Sequence, residues 1–176
     1  MNSKIRTIKL SLVLVFGTLY LLLCSASCKM HYGFTQGTTG DAKTVSIQFF
    51  QVNATLAKPT TGQIFTESLK DIMQSQGKMS LINKGGDFNF EGSISGYAVT
   101  PVSIQSTDQS AANRLTITVN VKFTNEKDIT KNFETGFSRF ADFQSSQSLA
   151  SVEDELIKTI TDQLVQDVFN KSLGGW

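Results

Sequence analysis

From Arg114 to Phe123 the residues alternate without a fault, with Leu115, Ile117, Val119, Val121 and Phe123 set against Arg114, Thr116, Thr118, Asn120 and Lys122. A period of two sends every second side chain to the same side, so this stretch predicts a strand in a sheet with one covered face and one polar face. An all-helical fold is excluded by this segment alone. A second run alternates as Phe88, Phe90, Gly92 and Ile94 against Asn89, Glu91 and Ser93. At Gly96 its apolar phase moves to Tyr97 and Val99, which predicts a bulge or register kink there. Val45, Ile47 and Phe49 predict a first, shorter strand, and Met79 to Ile82 a brief apolar one. Beyond the turn at Thr124 to Asp128, the residues Ile129, Phe133, Phe137, Phe140 and Phe143 predict one more antiparallel partner.

Two segments have the helical period instead. Phe65, Leu69, Ile72 and Met73 follow a capping-box pattern at Thr60 and Gln63 and end at Gly77. Leu156, Ile160, Leu164 and Val168, widened by Ile157, Val165 and Phe169, follow a second such pattern at Ser151 and Asp154 and run almost to Trp176. The order strand, helix, strands, helix predicts an α+β two-layer sandwich. Two helices pack on one face of a small mixed, mostly antiparallel sheet of about four strands.

The N-terminus reads as an address. Lys4, Arg6 and Lys9 precede the 14-residue apolar run Leu10 to Leu23, shorter than the roughly 20 residues that span a bilayer as a helix. Ser25-Ala26-Ser27-Cys28 then resembles a bacterial lipobox, small residues before a cysteine that takes a diacylglyceryl group. Ordinary signal-peptidase cleavage would leave Cys28 as a lone thiol without structural use, whereas a lipid thioether uses it. The expected organisation is a lipoprotein signal peptide over 1–27, a lipidated Cys28 and flexible tether over 28–43, and a single α+β domain over 44–176.

Removing the first 27 of 176 residues removes three basic groups, leaving 13 against 15 acids and a net charge of −2. A slightly acidic body lacks the electrostatic footprint for nucleic acid. Cys24 and Cys28 are the only cysteines and His31 the only histidine. The folded part therefore offers no disulfide, no Cys/His zinc set and no Ser-His or Cys-His pair, and no enzyme, metal or cofactor is expected. His31, alone in the tether, reads as a solvated bystander.

Within the body, Glu153-Asp154-Glu155 is the one acidic cluster and reads as a helix cap, carboxylates favoured by the dipole of a first turn. Arg114 and Arg139 are the only arginines after the signal segment. With Lys122 on the polar face of its strand, they are candidates for contact with phosphorylated lipid or a partner's carboxylates, or else ordinary surface charge. Pro101 to Asn113 (PVSIQSTDQSAAN) joins the two long strands, and thirteen residues exceed the few that a hairpin needs. A loop of that length is either functional or disordered.

GDFNFEGSISGYAVTP (Gly86 to Pro101), NRLTITVNVKFTNEKD (Asn113 to Asp128), NFETGFSRFADF (Asn132 to Phe143) and SVEDELIKTITDQLVQDVFNKS (Ser151 to Ser172), behind a lipobox, together resemble the LPS-assembly lipoprotein LptE family. The resemblance implies a non-enzymatic protein anchored through Cys28 at the outer membrane and facing the periplasm. It also implies a partner, the LptD β-barrel, which such a protein plugs and helps to assemble while lipopolysaccharide is inserted. In that family the loop between the long central strands points into the barrel. The resemblance thus assigns a partner or lipid interface to Gln105, Asp108 and Gln109 of the loop and to Arg114, Lys122 and Arg139 of the sheet. The competing reading is a lipoprotein that activates or scaffolds a cell-wall synthase, since small αβ sandwiches of similar order do this as well.

Overall fold

The computed structural model describes residues 41–102 and 112–174. Cys28, the signal segment, most of the tether, and Gln105, Asp108 and Gln109 lie outside the described residues. The elements are β1 (Thr44–Ile47), β2 (Gln51–Val52), α1 (Thr60–Ser75), β3 (Ser80–Leu81), β4 (Phe88–Val102), β5 (Ala112–Asn125), β6 (Phe133–Gln144) and α2 (Leu149–Leu173). A 3-10 turn, Ile129–Lys131, leads into β6. The sheet runs in the order β3-β1-β4-β5-β6, with β2 also paired to β4. The β1 pairings with β3 and β4 are parallel, whereas β4, β5 and β6 are antiparallel neighbours. This is the mixed sandwich expected, with six strands rather than four because two of them have only two residues.

Both helices cover the same sheet face. Leu115, Ile117, Val119, Val121 and Phe123 are all buried there, meeting Leu156, Ile157, Ile160, Leu164, Val165 and Val168 of α2 and Phe65, Leu69 and Met73 of α1 in one core. The opposite face is built from Asn89, Glu91 and Ser93 of β4, Arg114 to Lys122 in alternation on β5, and Glu134, Ser138, Phe140 and Asp142 of β6.

Register slips aim particular side chains. The β4–β5 pairing shifts between Ile94 and Gly96, so that Tyr97 lands opposite Ile117 on the helix side, as the change of apolar phase predicted. The first strand departs from its alternation. β1 ends at Ile47, Phe49 is half-exposed and Phe50 is buried instead. The Phe50 amide donates to Thr66 Oγ1 at 3.1 Å, its ring packs 4.7 Å from that of Phe65, and the chain resumes pairing with β4 as β2. Two glycines make room. A Cβ on Gly62 would sit 2.2 Å from the Phe50 carbonyl oxygen, and one on Gly92 2.6 Å from the Phe50 ring.

Both helix starts differ from expectation. α1 begins at Thr60 behind Pro59, and α2 at Leu149 behind Ser148, neither with a side-chain cap. Proline has φ already set for a helix start, and Ser151 donates its hydroxyl back to the Ser148 carbonyl at 2.7 Å instead of capping. At the end of α1 the left-handed residue is Lys78, not Gly77. Of the apolar residues predicted for the last strand, Ile129 lies on the 3-10 turn and Phe140 on the outer face. Phe133, Phe137 and Phe143 point inward, in line with the period counted from Phe133.

Candidate functional interface

Arg114 lies opposite both Thr100 of β4 and Asp142 of β6 on the outer face. Its Nε and Nη2 donate to the two Asp142 oxygens at 2.7 and 2.8 Å, a bidentate fork, while its guanidinium carbon stands 3.6 Å from the Phe140 ring centroid. The guanidinium holds the Asp142 carboxyl below the usual carboxylate range, and the carboxylate raises Arg114 in return. The unit carries no net charge. Further along the same face Lys122 stands 3.8 Å from Glu91, and the Thr118 and Ser138 hydroxyls share a hydrogen bond of 3.0 Å.

Arg139 does not join them. It pairs with Ile117 across the strands, which puts it on the helix side, where it forks onto Asp167 of α2 at 2.5 and 2.7 Å. Strand parity decides the point, because an odd-numbered residue of β6 faces the side of the buried odd-numbered residues of β5. The three cations named from sequence therefore occupy two faces, and each has a carboxylate partner.

The loop is shorter than Pro101 to Asn113. Pro101 pairs with Asn113 and Val102 with Ala112, so the β4–β5 ladder continues to the rim of residues 103–111. Arg114, Asp142 and Phe140 stand beside that rim.

The acidic cluster is not a cap. With the helix starting at Leu149, Glu153 falls in the second turn and is buried; its Oε1 accepts from Tyr97 Oη at 2.5 Å and its Oε2 lies 2.9 Å from Lys58 Nζ. Asp154 holds the same lysine at 2.8 Å. Burial and the Glu153 carboxylate push the Tyr97 hydroxyl far above its ordinary range, and Asp154 and Glu153 raise Lys58. The arrangement ties β4, the approach to α1 and α2 together at the loop end of the domain. The sequence signal was the phase change after Gly96, which turns Tyr97 inward and obliges its hydroxyl to find a partner. Among the described residues, no group of three or more His, Cys, Asp or Glu is placed to hold a metal, and no helix is long and apolar enough to cross a membrane.

Residues 42–172 match the model of the LptE lipopolysaccharide-assembly family. The chain belongs to the LptE family. Its fold is shared with hypothetical protein CT253 from Chlamydia trachomatis (TM-score 0.50, 10% identity, 76% of this chain and 96% of that one). A minor lipoprotein from Acinetobacter baumannii aligns with TM-score 0.49 at 14% identity, over 74% of this chain and 91% of that one. Rare lipoprotein B from Shewanella oneidensis aligns with TM-score 0.44 at 14% identity, over 73% and 92%. No curated protein sequence matches the chain. In this LptE-family domain the covered face packs for the most part against its own two helices, whereas no other described element packs on the outer face.

Proposed function

We propose that this chain is the lipoprotein subunit of a lipopolysaccharide translocon, anchored through Cys28 at the periplasmic side of the outer membrane and engaging an LptD-type β-barrel. The family match over residues 42–172 carries the reading. The geometry supports it in two ways. β4 and β5 form a long antiparallel hairpin paired as far as Val102 and Ala112, and Gln105, Asp108 and Gln109 belong to the segment 103–111 that joins its two strands. The outer face beside it is polar, with its cations already neutralised, as suits a surface slid against another protein. Arg114 would serve there by exchanging Asp142 for a partner carboxylate or lipid phosphate, guided by the same fork geometry. Lys122 shares this face, and Arg139 steadies α2 from the other side. A photo-crosslinker at Gln109 is the test. Capture of a barrel protein, identified by mass spectrometry, is the expected result; capture of a cell-wall synthase alone would replace the translocon reading with the activator reading.

A further inference from the structure

The two poles of the domain carry opposite charge, and the chain comes in at the positive one. Ser80 N donates to the Lys43 carbonyl, Glu126 N to the Asp87 carbonyl, and Lys171 Nζ stands 5.2 Å from the Phe133 ring centroid. Residues 41–44, 76–88, 126–132 and 170–174 are thereby gathered at one end. They hold six lysines (Lys43, Lys78, Lys84, Lys127, Lys131, Lys171) and four acids (Asp41, Asp87, Glu126, Asp128), a net of 6 − 4 = +2. Asp87 is taken up by the Lys43 and Thr44 amides and by Lys127 at 3.1 Å. Lys43, Lys78, Lys84 and Lys171 form no ion pair among the described residues. At the loop pole Lys58 and Arg114 face Asp142, Glu153, Asp154 and Glu155, a net of 2 − 4 = −2.

The positive pole also exposes an apolar tip. Ile129, on the 3-10 turn between Lys127 and Lys131, is 76% exposed, and Ile82 is partly exposed next to Lys84. An unpacked isoleucine bracketed by lysines has the make-up of an interfacial contact, in which the cations stay among headgroups and the apolar side chain enters the acyl boundary.

We propose that this pole docks on a leaflet containing anionic phospholipid, with the lysines at the headgroup phosphates and Ile129 inserted. Each lysine near an anionic surface contributes about fivefold to partitioning, so a few of them with one apolar tip give a weak contact. A tether raises its effective concentration. The orientation rests on the Cys28 anchor of the proposed function, because a chain held there brings to the membrane the pole at which β1 begins; the surface itself needs no acyl chain on Cys28. It describes the anchored chain before its opposite pole meets a barrel.

The test uses the chain from residue 28 with Cys28→Ser, which retains the whole core from Ala42 to Leu173. Sedimentation with vesicles of phosphatidylcholine, alone or mixed with phosphatidylglycerol, measures binding. Binding is expected with phosphatidylglycerol, severalfold weaker without it, and reversed by salt. Ile129→Asp and Lys131→Glu should each weaken it about fivefold or more at unchanged melting temperature. Leu56→Asp, at a side chain 74% exposed near the opposite pole, should leave it intact. Absent binding, equal binding to both vesicles, or an equal loss from Leu56→Asp would overturn the proposal. No anchor and no barrel are present in this assay, so such a result leaves the translocon reading standing, and failure of the Gln109 crosslink leaves the docking surface standing.

Discussion

At the residue scale, parity along β5 is the sharpest determinant. Val119 is wholly buried while Thr118 lies on the open face, so Val119→Asp should cost about 3 kcal/mol or more and Thr118→Asp well under 1 kcal/mol. Urea denaturation of the two variants measures the difference, and equal midpoints would mean that the faces are wrongly assigned. Asp87 belongs to the same scale. The Lys43 amide, the Thr44 hydroxyl, Lys127 and the Thr44 amide all hold its carboxyl far below the usual range. A depressed folded value means that the proton prefers the unfolded chain. Asp87 therefore stabilises above its unfolded value of about 4, and that contribution is lost as the pH falls below it. Asp87→Ala should lower the neutral-pH melting temperature and flatten its decline in acid. A parallel decline in variant and parent would rule out this role.

At the element scale, the contact of α1 with the β1–β2 connection depends on Gly62. Alanine favours a helix interior over glycine by about 1 kcal/mol, but its Cβ would lie 2.2 Å from the Phe50 carbonyl oxygen. Overpacking of that kind costs about 1–3 kcal/mol, so Gly62→Ala should destabilise despite the better helix former. A rise in melting temperature would show that the helix can move away at little cost. The same region marks the limit of what the sequence made legible. The long strands, both helices and the kink at Gly96 follow from period and phase, because each buries one repeating face. Phe49 and Phe50 do not, since two adjacent phenylalanines fit either phase and the choice falls to Thr66, Phe65 and the space over Gly92, all distant in sequence. The interface was legible in the same uneven way. Arg114 and Lys122 take their face from the alternation of β5. Arg139 follows a turn whose length decides its parity, and the buried role of Glu153 depends on a helix cap at Ser148, three residues before Ser151.

At the scale of the whole molecule, the domain is polarised between the end where β1 begins and the end where β4 and β5 meet, and the two ends answer to different requirements. The core lies between them, so changes beyond the paired rim should be felt in function and not in folding. Pro101 with Asn113 and Val102 with Ala112 already close the ladder, so a four-residue hairpin turn can replace residues 103–111 without disturbing a described pair. The polar sequence of that segment adds little apolar burial, and the strands take their register from their own alternation. The shortened chain should thus melt within a few degrees of the parent, a shift that for a domain of this size corresponds to less than about 1 kcal/mol. If the segment enters a barrel, the same variant should accumulate normally yet leave the outer membrane permeable to large antibiotics. Unchanged permeability at normal abundance would make residues 103–111 a connector. A large drop in melting temperature would instead show that they cover part of the core.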